Sequence, residues 1–124
     1  MDRMNNLVVW FELPVKNLKR AMTFYSKVMG VELQAMDMGD SKGAMFPFAP
    51  GIASGALIES KENEPSTKGT MIYLNGGDDL SAPLKLVTTA GGKVVQEKIS
   101  IGEHGFMAIF EDCEGNHVAL HSMK

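Results

Sequence analysis

The chain has 124 residues, 44% of them hydrophobic and 22% charged, an ordinary globular composition for one domain and not that of a disordered tail. A core of this size forms without staples, and the single cysteine, Cys113, allows neither a disulfide framework nor a CxxC zinc pair. Twelve basic against fifteen acidic residues give a net charge of −3, which excludes the basic stripe that nucleic acid requires, and the polar Met1–Asn6 and short apolar Leu7–Phe11 predict a cytoplasmic protein with no membrane partner.

Residues 7–13, rich in β-branched and aromatic side chains and closed by Pro14, predict a first strand. Its alternation puts Trp10 and Glu12 on one face and Val9, Phe11 and Leu13 on the other. Asn17 caps a predicted helix whose apolar positions Leu18, Ala21, Met22, Tyr25, Val28 and Met29 recur at helical spacing, and Gly30 stops it. Three short strands follow, Val31–Met38, Ala44–Phe48 and Ala53–Glu59, separated by glycine and proline turn signals. The polar stretch 61–68 is the best linker. After it come a strand Thr70–Asn75, a helix capped by Asp79 or Ser81 with Leu80, Leu84 and Val87 inward, a stop at Gly91-Gly92, and strands Lys93–Ile99, Phe106–Glu111 and His117–Ser122.

The order strand, helix, three strands thus occurs twice, in module 1 (about 7–60) and module 2 (about 69–122). A gapless shift laying Asn17 on Asp79 also aligns Gly30 with Gly92 and Met45 with Met107, which supports an internal repeat. Each module offers a sheet with a helix on one face. Two such sheets pair into an α+β architecture, an incompletely closed barrel with a central cleft, within one domain spanning 1–124. A cleft of about 300 Å³ or more suits a small ligand.

The segments LPVKNLKRAMTFYSKVMGVEL and GGKVVQEKISIGEHGFMAIFEDCEGNHVALHS resemble the vicinal oxygen chelate superfamily of glyoxalase I, bleomycin-resistance proteins and extradiol dioxygenases. The resemblance covers nearly the whole chain. Its sharpest parts are Asn17–Tyr25 and the turn Glu111–Asn116, where the family usually has D-P-x-G-N. It implies paired βαβββ modules, often in a homodimer, around a cleft that in the catalytic members holds one divalent metal acting as a Lewis acid. Metal ligands in such enzymes come from the inward faces of the first and last strand of each module. The matching positions here are Trp10 and Ala119 by motif spacing, and Ile72 and Leu57 by the repeat shift. None of the four carries a donor for such a cation, and a slip of one residue offers only Tyr73. The sequence therefore predicts a metal-free site with no cofactor.

A relocated divalent metal on Glu12, Glu59 and His121 remains an alternative, since each lies two residues, about 6.6 Å, beyond an empty position. Trp10 is open to two readings, core filler or an aromatic wall for ligand. Glu12 on the same face needs a partner and is the candidate general base. His104, between glycines, suits a loop at the cleft mouth that hydrogen-bonds ligand or transfers protons. Cys113 lies between Asp112 and Glu114, which raise its pKa, so it is a poor nucleophile. Met36 and Met38 share a strand face, and with Met45 and Met107 they provide adaptable apolar surface for the cleft or core. The ligand-binding cleft is therefore predicted from Trp10, Glu12, Leu57, Glu59, Ile72, His104, Ala119 and His121. The leading functional reading is a metal-free binder of a small, partly apolar molecule. Its rivals are a lyase, isomerase or dioxygenase using a relocated metal or a Glu12 base, and a subunit whose role is association alone.

Overall fold

A computed structural model of the chain describes residues 7–37 and 39–124. β1 (Trp10–Val15), α1 (Leu18–Met29), β2 (Gln34–Asp37), β3 (Lys42–Met45) and β4 (Ser54–Glu59) form the first module. β5 (Tyr73–Asn75), α2 (Ser81–Thr89), β6 (Lys93–Ser100), β7 (Phe106–Glu111) and β8 (His117–Ser122) form the second. The two four-stranded sheets have the same strand order, β1-β4-β3-β2 and β5-β8-β7-β6. In each, the first strand pairs in parallel with the last strand of its own module and is otherwise an edge. No ladder joins β1 to β5, so the α+β fold is an open pair of sheets, not a closed barrel.

Local chemistry accounts for most boundaries. The Asn17 side chain accepts a 3.0 Å hydrogen bond from the Arg20 amide, satisfying one orphan donor of α1. Gly30 ends the helix at φ 65°, in the left-handed region. Several bounds differ from the sequence expectation. β1 begins at Trp10, not at residue 7, and runs through Pro14 to Val15, because an edge strand tolerates a residue without an N–H. β5 is shorter than predicted, covering only Tyr73–Asn75. Asp79 does not cap α2: its Oδ1 accepts from the Ser81 amide at 2.9 Å and from Lys98 Nζ at 2.9 Å. Leu80 stands at the cap with no side-chain bond, yet Leu80, Leu84 and Val87 are buried as the pattern predicts. Met38 lies outside the described residues.

The modules are locked together on the helix side. α1 packs on β3 and β4, α2 on β6 and β7, and the helices touch each other. Phe24 and Tyr25 of α1 meet Phe110 of β7 with ring centroids 6.0 and 6.4 Å apart, and Tyr25 also stands edge-on to Phe46 at 5.6 Å. The turn between β7 and β8 closes over this cluster. Asp112 accepts from the Tyr25 hydroxyl at 2.6 Å. Glu114, its side chain fully buried, accepts from the Lys16 and Asn17 amides and forms a 2.7 Å ion pair with Arg20. A carboxylate seated at the positive end of α1 is favourable on its own account. Asn116 donates to the Pro14 carbonyl at 2.8 Å and accepts from the Ser66 amide at 3.0 Å. The E-D-C-E-G-N turn is therefore a staple between modules.

Candidate functional site

Strand pairing decides which side chains face away from the helices. In the first sheet Leu13 and Val15 share the helix side with Leu57, which is 0% exposed in the core. The opposite face carries Trp10 and Glu12 on β1, Ala56 and Ile58 on β4, and Met45 on β3. In the second sheet Leu74 pairs with Leu120 on the helix side, while Tyr73 and Asn75 share the other face with Ala119 and His121. Met107 and Ile109 of β7 join that face.

This arrangement corrects two assignments. Trp10, Leu18 and Ser54 open elements whose counterparts open at Tyr73, Ser81 and His117, a shift one residue longer than the one that lays Asn17 on Asp79. Side chains alternate with period two along a strand, so a one-residue error moves every one to the other face. The counterparts of Trp10 and Ala119 are therefore Tyr73 and Ala56, not Ile72 and Leu57. Leu57 points into the helix packing. Ile72 is half-buried against the core and uses its carbonyl to accept from the Ala119 amide at 2.9 Å.

Between β1 and β5 lies a cleft of about 820 Å³. Trp10, Phe11, Glu12 and Ser54 line it on one side, Thr70, Met71, Ile72, Tyr73 and Asn75 on the other, with Met29, Val31 and Phe46 deeper toward α1. It exists because the two edges do not pair. Trp10 is 37% exposed and packs edge-on against Phe48 at 6.1 Å, so it is a wall of the cleft and not core filler. Tyr73, which the sequence reading left out of the site, stands opposite and is exposed.

The remaining sequence candidates lie elsewhere. Glu59 is at the far end of β4, lining a separate polar cavity of about 430 Å³ with Lys16, Lys42 and Lys61. His104 ends a single 3-10 turn, Gly102–His104, and is exposed. Its carbonyl accepts a 2.6 Å hydrogen bond from His121 Nε2, which ties that turn to β8. Ala119 is 0% exposed beneath its neighbours. His117 pairs with Glu111 at 3.3 Å. Glu12, Glu59 and His121 are thus not brought together. Among the described residues no three His, Cys, Asp or Glu side chains converge, and the open-face positions Trp10, Ala56, Tyr73 and Ala119 do not fit a divalent cation, which needs several hard or borderline donors.

Cys113 is also removed from chemistry. Burial first, and then the charges of Asp112 and Glu114, push its thiol up to about 11, so the nucleophilic thiolate is scarce at neutral pH. No helix among the described residues is long and apolar enough to cross a membrane.

Residues 7–120 match the family model for the Glyoxalase/Bleomycin resistance protein/Dioxygenase superfamily. A glyoxylase-like domain-containing protein of Didymella fabae is 35% identical over 113 residues, covering 88% of each chain. Among solved structures, a mutant of glyoxalase I from Zea mays superposes with a TM-score of 0.73 at 23% identity, over 92% of this chain and 46% of that one. This chain therefore spans under half of the maize protein's length, and the likeness shows a common fold. A hypothetical protein from S. aureus superposes at 0.68 with 27% identity, over 94% of both chains. With two βαβββ modules, the open edges of β1 and β5 and the cleft between them, the chain belongs to the Glyoxalase/Bleomycin resistance protein/Dioxygenase superfamily.

Proposed function

We propose that the protein binds a small, partly apolar molecule in the cleft between β1 and β5 and does so without a metal. The observation that carries this reading is the chemistry of the cleft wall. Where catalytic relatives in this superfamily place metal ligands, the open faces offer Trp10, Ala56, Tyr73 and Ala119, while a cleft of about 820 Å³ beside them is lined mainly by aromatic and apolar side chains with a few polar groups. Volume and lining are those of a small-molecule site. Burial of an apolar ligand body against Trp10, Met71 and Tyr73 supplies affinity, and the polar groups set its orientation. An open cleft of this volume supports ligand binding over a subunit serving association alone, for which a filled cleft is expected.

Elemental analysis of protein purified without chelator, paired with ligand screening, tests the reading. The expected result is no stoichiometric metal, and a ligand that raises the unfolding midpoint equally in chelator-treated and untreated protein, an effect lost in Tyr73→Ala. One zinc, nickel, manganese or iron per chain, lost in Glu12→Ala or His121→Ala, overturns it in favour of a metal-dependent lyase, isomerase or dioxygenase. Turnover of an α-oxo or epoxide substrate that vanishes in Glu12→Gln overturns it in favour of a metal-independent enzyme with a Glu12 base.

A further inference from the structure

We infer that the ligand is an organic cation, held by its charge on Glu12 and by its apolar body against Trp10 and Tyr73; this rests on the ligand-binding reading above. Three observations converge. Glu12 is the one formally charged side chain among the described residues that line the cleft. No hydrogen bond or ion pair joins it to the described residues, whereas Glu114, Glu111 and Asp79 are paired with Arg20, His117 and Lys98. The walls beside it are the aromatic rings of Trp10 and Tyr73, whose faces carry the negative lobe of a quadrupole and attract cations.

The chemistry discriminates between ligand classes. An anion entering the cleft meets the Glu12 carboxylate and no cation among the described residues that line it. A neutral molecule gains burial but nothing from Glu12. An alkylated ammonium, with charge spread over methyl groups, gives up little hydration and gains both the carboxylate and the ring faces.

Trp10 is the only tryptophan of the chain, so intrinsic emission reports on the cleft wall directly. The full chain is titrated with benzyltrimethylammonium and with neopentylbenzene, its neutral isostere, and binding is read in parallel by ligand-observed NMR. The expected result is saturable binding of the cation, with the neutral isostere weaker by about tenfold or more. That preference, read as the ratio of the two affinities, shrinks with added salt and disappears in Glu12→Gln. Equal binding of the two probes, or a cation preference that survives in Glu12→Gln, overturns the inference while leaving a ligand cleft standing. Absence of binding by either probe in either readout overturns the inference, and where no other small molecule stabilises the protein it overturns the reading beneath it as well.

Discussion

The Tyr25 hydroxyl of α1 donates a 2.6 Å hydrogen bond to Oδ2 of Asp112 in the β7–β8 turn, joining the two modules through a fully buried phenol. Burial first, and then the charge of Asp112, hold that phenol well above its ordinary value of 10.0. In the unfolded chain it ionises near 10.0, while the folded protein keeps the proton. The unfolded state therefore binds fewer protons above that pH, and the stability present below it is lost as pH rises. Tyr25→Phe is expected to cost about 1.5–3 kcal/mol at pH 7, the range for hydrogen bonds to charged groups, and to flatten the decline above pH 10. Urea denaturation at pH 7 through 11 measures both. Coincident curves for variant and parent contradict the assignment.

Glu114 and Arg20 are 94 positions apart in sequence and 2.7 Å apart in space. Their exposure is unequal, since the carboxylate is fully buried and the guanidinium is 54% exposed. Glu114→Ala removes the acceptor of the Lys16 and Asn17 amides just before α1 as well as the ion pair, and a loss of about 3–5 kcal/mol is expected. Arg20→Ala leaves Glu114 its backbone donors and should cost less, about 1–2 kcal/mol. Thermal and chemical denaturation rank the two. An Arg20 variant less stable than the Glu114 variant contradicts the staple.

Gly55 of β4 lies under Phe11 of β1. A Cβ there would collide with the Phe11 ring and stand 2.5 Å from its carbonyl oxygen, and the carbonyl belongs to backbone that cannot step aside. Gly55→Ala should cost about 1–3 kcal/mol, as overpacking does, and should shift the emission of Trp10 because Phe11 lines the same cleft. Gly30→Ala is the control: nothing lies within 4 Å of its Cβ, and the penalty comes only from φ 65°, about 1 kcal/mol, with Trp10 emission unchanged. An emission shift in the Gly30 variant but not in the Gly55 variant reverses the expectation.

Cys113 should resist alkylation. With its thiol pushed up to about 11, its thiolate fraction at pH 8 is on the order of one in a thousand, and iodoacetamide should react at least about a hundredfold more slowly than with free cysteine. The rate should rise steeply toward pH 11 and on unfolding. Rapid labelling of folded protein at pH 8 contradicts the burial argument.

Much of the fold is legible along the chain because its causes are local. Asn17 and Gly30 bound α1 by capping and by left-handed backbone, and alternation marks β7 and β8 to the residue. The pairing of Trp10 with Glu12 on one face also follows from strand geometry alone. Less legible was the equivalence of the two modules: caps and turns tolerate a shift of one residue, strand faces do not, and so Leu57 and Ile72 took the places that belong to Ala56 and Tyr73.

Sequence by itself determined the local elements, the repeated order of the modules and the family resemblance, since capping, alternation and motif spacing act over a few residues. Tertiary structure alone decided the site. Whether β1 and β5 pair or stand apart, whether Glu114 reaches α1, and whether Glu12, Glu59 and His121 meet are relations between segments distant in sequence. Each depends on how the helices and the β7–β8 turn lock one sheet against the other, which leaves Glu12 in an open cleft facing Tyr73 and sends Glu59 and His121 elsewhere.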